Sequence, residues 1–194
     1  MVMLNHNDSK RQYQLFETEM LPQIDALYTF AYHLTYNEAD ADDLVQDTYL
    51  RAWKAIHQYN EGTNVRAWLF TILKNTFINK HRSKKSRPTT VELTDLTKPA
   101  AESKGALENT LAKDVFRDSM GDEVTQAINA LPVAFRLVIL LCDVEGFTYE
   151  EIAAILHIPV GTVRSRLHRG RNLLKSNLKD YGRSLGYGKD EAAA

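Results

Sequence analysis

Apolar positions recur every three or four residues through most of the chain, and strand-like alternation is scarce. In "LPQIDALYTFAYHLTY", Ile24, Leu27, Ala31 and Leu34 form one helical stripe. "NEADADDLVQDTYLRAWKAIHQY" opens on Asn37, a good N-cap, and puts acids in its first turn, where they suit the helix dipole. Its apolar stripe is Val45, Tyr49, Ala52, Trp53 and Ile56. After the turn "NEG", "TNVRAWLFTILKNTFINKHR" carries a core face of Val65, Trp68, Leu69, Ile72, Leu73 and Thr76. These helices define a first domain over residues 12–87.

The period then breaks. Residues 88–119 hold two prolines, many Thr and Ser, and no sustained pattern, and read as a linker too long for a connection inside one compact domain. A second domain follows over residues 120–181. "DEVTQAINALP" is a short helix stopped near Leu131, and Pro132 suits the first turn of "PVAFRLVILLCDVEG". Gly146 closes that helix. Thr148 and Glu151 have the spacing of a capping box and open "YEEIAAILHI". The few glycines, among them Gly62, Gly121, Gly146 and Gly161, fall at breaks. The fold class is therefore all-α, with two small helical domains on a flexible linker.

The chain has 194 residues, enough for two such domains. The longest apolar run, Leu137 to Cys142, is far short of a membrane span. The N-terminus lacks the basic and apolar blocks of a secretory signal. The single cysteine, Cys142, makes no internal disulfide and reads as a core thiol in a reducing cytoplasm.

A formal net charge of −1 conceals strong local poles. Glu38, Asp40, Asp42, Asp43 and Asp47 form an acidic block, while 74–87 and 164–175 are basic. On a helical wheel of the last long helix, Val163, Leu167, Gly170 and Leu174 make the packing side. Ser165, His168, Arg169 and Asn172 lie opposite. Thr162, Arg164 and Arg171 occupy the flanks, and Arg166 sits nearer the core edge. With the short turn "HIPVG" and the apolar helix before it, this is a helix-turn-helix. Such a helix fits the DNA major groove, where Arg bonds guanine O6 and N7 and Ser or Thr reaches a base or a phosphate. Arg171 and Lys175 suit phosphates.

The string "LPVAFRLVILLCDVEGFTYEEIAAILHIPVGTVRSRLHRGRNLL" resembles the C-terminal domain of bacterial extracytoplasmic-function (ECF, group 4) sigma factors. In that family this helix reads the promoter −35 element. The resemblance implies DNA contacts by Arg164, Ser165, His168 and Arg169, with Thr162 and Arg171 beside them.

In the first domain, Asp43, Gln46, Asp47, Leu50 and Lys54 share one side by i, i+3 and i+4 spacing. An acidic face with an exposed leucine suits a basic partner helix, although acids also favour any helix start. "DLVQDTYLRAW" is similar to sigma region 2.2, which grips the clamp coiled coil of the polymerase β′ subunit; the resemblance implies docking by Asp43, Gln46, Asp47 and Leu50. On the next helix Phe70, Lys74, Phe77 and His81 are expected away from the core face, with Lys80, Arg82, Lys84, Lys85 and Arg87 extending the charge. Rings among cations suit unpaired DNA, though Phe77 can equally pack on another helix. "NVRAWLFTILKNTFINKHR" resembles regions 2.3 and 2.4, where a base flipped from the −10 element is captured. By position the capturing loop is 59–64. Tyr59, Ile72 and Asn75 are the pocket residues, and Lys74, Lys80 and Arg82 the backbone contacts. The linker matches the family's variable segment in length only.

No motif for catalysis, phosphate cradling or paired-Cys metal binding is present, the six histidines lack ligand spacing, and no cofactor or metal is expected. The protein does not read as an enzyme. The resemblance implies core RNA polymerase (the β′ clamp coiled coil and the β flap) and promoter DNA as partners, with no membrane insertion. It also implies an anti-sigma factor; likeness to the thiol or oxidative-stress branch makes that partner zinc-containing and places the protein in a stress response. Two alternatives compete. A stand-alone helix-turn-helix regulator of duplex DNA accounts only for the C-terminal helices. A nucleic-acid enzyme using the Asp cluster lacks a phosphate-binding loop.

Overall fold

The computed structural model describes the backbone of residues 6–84 and 121–186, and the side chains of 8–81 and 121–186. The expected linker, 88–119, and the side chains of Arg82, Lys84, Lys85 and Arg87 lie outside the described residues. Every regular element among the described residues is helical. The chain divides into two compact units.

The first unit starts earlier than the sequence pattern indicates. Helix α1, His6–Leu15, continues through a π-turn, Phe16–Met20, and a single 3-10 turn, Leu21–Gln23, into α2, Ile24–Thr35. Tyr36 adopts the left-handed region at φ 52° and stops α2. Asn37 then caps α3, Glu38–Lys54, its Oδ1 accepting the Asp40 N–H at 2.9 Å, as its position predicts. Helix α4, Val65–Lys84, follows the 59–64 loop.

The core of this unit joins α2, α3 and α4 and buries Leu27, Phe30 and Leu34 of α2, Leu44 of α3, and Leu69, Phe70 and Leu73 of α4. The Phe30 and Phe70 rings lie 5.0 Å apart. Two stripe residues depart from expectation. Ile24 is exposed, and so is Trp53, whose ring meets the edges of Phe16 and Tyr13 from the N-terminal segment at 5.2 and 6.4 Å.

Helix α4 corrects a larger expectation. Phe70 and Lys74, expected on an outer face, are buried, and so is Phe77. The physical reason is that α4 packs against α2, α3 and the 16–20 π-turn together, so it is covered on more than one side. Its rings serve the core and are not laid out for stacking on bases.

In the second unit, α5 spans Asp122–Asn129 and α6 spans Val133–Ile139, running on through a π-turn, Leu140–Val144. The Arg136 side chain is buried and donates to the carbonyls of Asn129 and Leu131, satisfying acceptors at the end of α5. Burial pushes its guanidinium down to about 10. Gly146, at φ 72°, ends the π-turn as expected, and Phe147 N–H returns to the Leu141 carbonyl at 2.9 Å. The capping box forms as read: Thr148 N–H donates to Glu151 Oε2 at 2.9 Å, and Glu151 N–H to Thr148 Oγ1 at 3.2 Å. It opens α7, Tyr149–Leu156. His157, left-handed at φ 55°, makes the turn, and Pro159 precedes α8, Val160–Asn177. Gly161 lies inside α8 and marks no break. A short α9, Lys179–Ser184, closes the described chain.

Helix α8 packs on α6 through Val163, Leu167 and Gly170, all buried. Gly170 makes the close approach possible, because a Cβ there meets Ile139 Cγ1 at 3.2 Å and Phe135 Cβ at 3.3 Å. The Phe135 atom sits on the backbone and has little freedom to retreat. Gly170→Val therefore destabilises the second unit by about 2 kcal/mol, read as a lowered denaturant midpoint with an unchanged slope.

Candidate nucleic-acid and docking interfaces

Once α8 is seated by Val163, Leu167 and Gly170, Arg164, Ser165, His168 and Arg169 are exposed together, as the wheel requires. Ser165 Oγ donates to the Thr162 carbonyl at 3.0 Å, and the His168 ring pairs with the Asn172 amide at 3.2 Å. Thr162 is half-buried. Arg166 is half-buried too, and desolvation lowers its pKa, which agrees with its place at the core edge.

Arg171 is engaged within its own unit. Its Nε donates to Asp143 Oδ2 at 3.1 Å and its Nη2 to Asp143 Oδ1 at 2.5 Å, a bidentate fork on a carboxylate. Nη2 also approaches Cys142 Sγ at 3.6 Å, and the Tyr149 side chain adds a hydrogen bond. The hydrogen bond to Asp143 raises the Arg171 pKa further above the ordinary arginine value. Arg171 thus ties α8 to the turn after α6 and to the start of α7. Two of its five N–H donors are thereby engaged with Asp143, while the side chain stays exposed. Cys142 is half-buried beside this clasp, and its thiol is pushed up by desolvation and by Asp143; it is not the core thiol the sequence implies.

On α3, Asp43 and Gln46 are exposed and Leu50 is 52% exposed, so the face expected to dock a partner is open. Asp47 is half-exposed and pairs with Lys80 of α4 at 2.7 Å. The two residues belong to different expected sites, docking and −10 DNA, and those sites meet at this ion pair.

The candidate base pocket falls on one strip of α4. Trp68, Ile72 and Asn75 are spaced i, i+4 and i+7, so they share a side. The Tyr59 ring lies 5.2 Å from Trp68 and extends the strip from the 59–64 loop. Tyr59 is buried, its hydroxyl donates to the Thr63 carbonyl at 2.8 Å, and burial raises its pKa. Gly62, at φ 84°, turns the loop, and Asn64 Oδ1 accepts the Ala67 N–H at 3.0 Å to start α4. Ile72 is half-buried and Asn75 exposed. Lys74 is only 4% exposed, which corrects its assignment as a phosphate contact. Its Nζ donates to Asn75 Oδ1 at 2.7 Å, and burial lowers its pKa.

Two residues of these sites escape the sequence reading. Trp68 counts there as core, yet it is half-buried, with its ring against that of Tyr59 beside the candidate pocket residues. Asp143 has no signal beyond its charge, since its partner is 28 residues away. Among the described residues no group of His, Cys, Asp or Glu could hold a metal ion, and no helix is long and apolar enough to cross a membrane.

Comparison with known proteins gives the same two-part division. Residues 23–87 match sigma-70 region 2, and residues 121–174 match sigma-70 region 4. The ECF RNA polymerase sigma factor SigE of Mycolicibacterium smegmatis is 37% identical over 155 residues, 79% of this chain and 58% of that protein, so the match spans less than two thirds of that relative's length. The ECF RNA polymerase sigma factor EcfG of Rhodopseudomonas palustris is 35% identical over 160 residues, 82% of this chain and 83% of that protein. The sigma factor RpoE of Bartonella quintana, solved with the anti-sigma factor NepR, superposes with a TM-score of 0.63 at 33% identity, covering 84% of this chain and 96% of that one. The chain belongs to the ECF RNA polymerase sigma factors, a family of DNA-binding transcription initiation factors.

Proposed function

We propose that the protein binds core RNA polymerase through the open face of α3 and directs it to promoters read at two places. Asp43, Gln46 and Leu50 meet the β′ clamp coiled coil, with Asp47 at the edge of that face. Arg164, Ser165, His168 and Arg169 enter the −35 major groove, Thr162 borders them, and the second unit meets the β flap. Tyr59, Trp68, Ile72 and Asn75 receive an unpaired −10 base, and Lys80 and Arg82 follow the adjoining phosphates. The observation that carries this reading is the set of four exposed donors on a helix whose opposite side is locked into a core. A reader helix needs that division, because bidentate and hydroxyl contacts to base edges require side chains held on a rigid frame.

The linker, over 88–119, joins a first domain over 12–87 to a second over 120–181 in this reading. An anti-sigma protein that holds the factor in the cytoplasm belongs to it as well, since the Bartonella relative was solved with one. Placement in a thiol or oxidative-stress response, with zinc in that partner, rests on the sequence resemblance alone.

Transcription in vitro with purified core polymerase tests the whole reading. It predicts initiation at defined sites only when this chain is added. Tight, sequence-specific binding of duplex DNA without polymerase would instead identify a stand-alone regulator. Asp43→Arg abolishes co-purification with core polymerase while circular dichroism and melting stay unchanged. Asp43 is the cleaner position than Asp47, whose reversal also opposes Lys80. Arg169→Ala lowers discrimination among −35 sequences by about tenfold, within the ~1–3 kcal/mol of one good base contact, and leaves −10 selectivity alone. For the clasp, a double-mutant cycle on Asp143→Ala and Arg171→Ala gives a coupling of about 1 kcal/mol in denaturant unfolding, the upper end for an exposed pair, because the geometry is bidentate.

A further inference from the structure

Lys74 is an anomaly in the first unit. Lysine is seldom buried, and a buried ammonium needs hydrogen-bond acceptors. Here the side chain is 4% exposed, and its ammonium donates to the Oδ1 of Asn75, the next residue, at 2.7 Å. Asn75 itself is exposed, on the strip it shares with Trp68 and Ile72.

An exposed asparagine amide ordinarily turns over freely, since its oxygen and nitrogen ends have nearly the same shape. A lysine ammonium removes that freedom. It has donors and no acceptor, so only the amide oxygen can face it. With Oδ1 held by Nζ, the Nδ2 group is the end left to meet a ligand. The side chain that can present either polarity on its own presents a donor.

We infer that Lys74 is a positioning residue that fixes the Asn75 amide with its NH2 group toward the captured base, so that the −10 pocket selects a base offering a hydrogen-bond acceptor at that point. The inference rests on the reading of Asn75 as a base contact in the −10 pocket. Its chemical content is narrower than that reading. A keto oxygen or an unprotonated ring nitrogen satisfies the amide, whereas an exocyclic amine sets donor against donor and leaves both unsatisfied. The two cases differ by roughly fivefold for one hydrogen bond.

The test uses the full chain assembled with core polymerase, on a promoter library randomised through the −10 element, with transcript yield read for each base. Wild-type holoenzyme shows a sharp preference at the captured position. Lys74→Met keeps the length of the side chain and removes the donor. It flattens that preference by roughly fivefold, admits bases that present an amine, and leaves −35 selectivity unchanged. Lys74→Gln, whose amide pairs with Asn75 in either orientation, behaves the same way and serves if the methionine variant folds poorly. Asn75→Asp keeps the ammonium contact but offers only acceptors, so the preference moves toward amine-bearing bases. Neither lysine variant melts below wild type, since each removes a buried charge. An unchanged base profile in both Lys74 variants, with Asn75→Ala flattening it, overturns this inference and spares the pocket reading. An unchanged profile in Asn75→Ala overturns both.

Discussion

The seating of α8 on α6 is the constraint from which the second unit follows. Two helices approach closely only where a side chain is missing, and Gly170 supplies that position against Phe135 and Ile139. Once Gly170, Val163 and Leu167 fix the rotation of α8, the outward set is determined by the 100° step and not by any further choice. Arg164, Ser165, His168 and Arg169 are exposed because Val163, Leu167 and Gly170 are not. The Arg171–Asp143 fork then pins the helix along its axis, one residue beyond the glycine. Packing at Gly170 constrains both rotation and translation, and the exposed ion pair adds to it. A groove-reading helix needs both, since an error of one residue changes which side chain meets which base.

Helix α4 meets a different constraint with the same means. It packs on α2, α3 and the 16–20 π-turn, so little of its circumference is left open. That strip runs from Trp68 to Asn75 and is lengthened by Tyr59 from the loop. A narrow exposed strip on a buried helix is rigid, and in the proposed function that suits the capture of a single base. A broad exposed surface would better suit a run of stacked nucleotides. The buried Phe70 and Phe77 therefore bear on what kind of contact the first unit can make.

Much of this was legible in the sequence. The all-α class, Asn37 as a cap, the Thr148–Glu151 box and the glycine at 146 are all local signals, carried within one turn of backbone, and the structure forms them as read. The outward face of α8 was legible for a related reason: one neighbour buries one stripe, and a wheel describes that case well. Helix α4 was misread because a wheel assumes one buried side, and this helix has several neighbours. Trp53 was misread for the opposite reason, since its partners Tyr13 and Phe16 belong to a segment with no clear stripe of its own.

Charge was the least legible property, and the fate of three cations explains why. Lys74, Lys80 and Arg171 read alike in the sequence, as members of basic blocks facing DNA. In the fold one is buried against an amide, one pairs with Asp47 of α3, and one clasps the turn after α6. Periodicity places a side chain on a helix, but whether a cation is free depends on acceptors brought to it by other parts of the chain. Asp143 reaches Arg171 across 28 residues and Asp47 reaches Lys80 across the α3–α4 contact, so neither pairing has a local signature. On α8 itself, Arg164, Arg169 and Lys175 stay exposed while Arg171 is held by Asp143, a difference that the spacing of the four along the helix does not show.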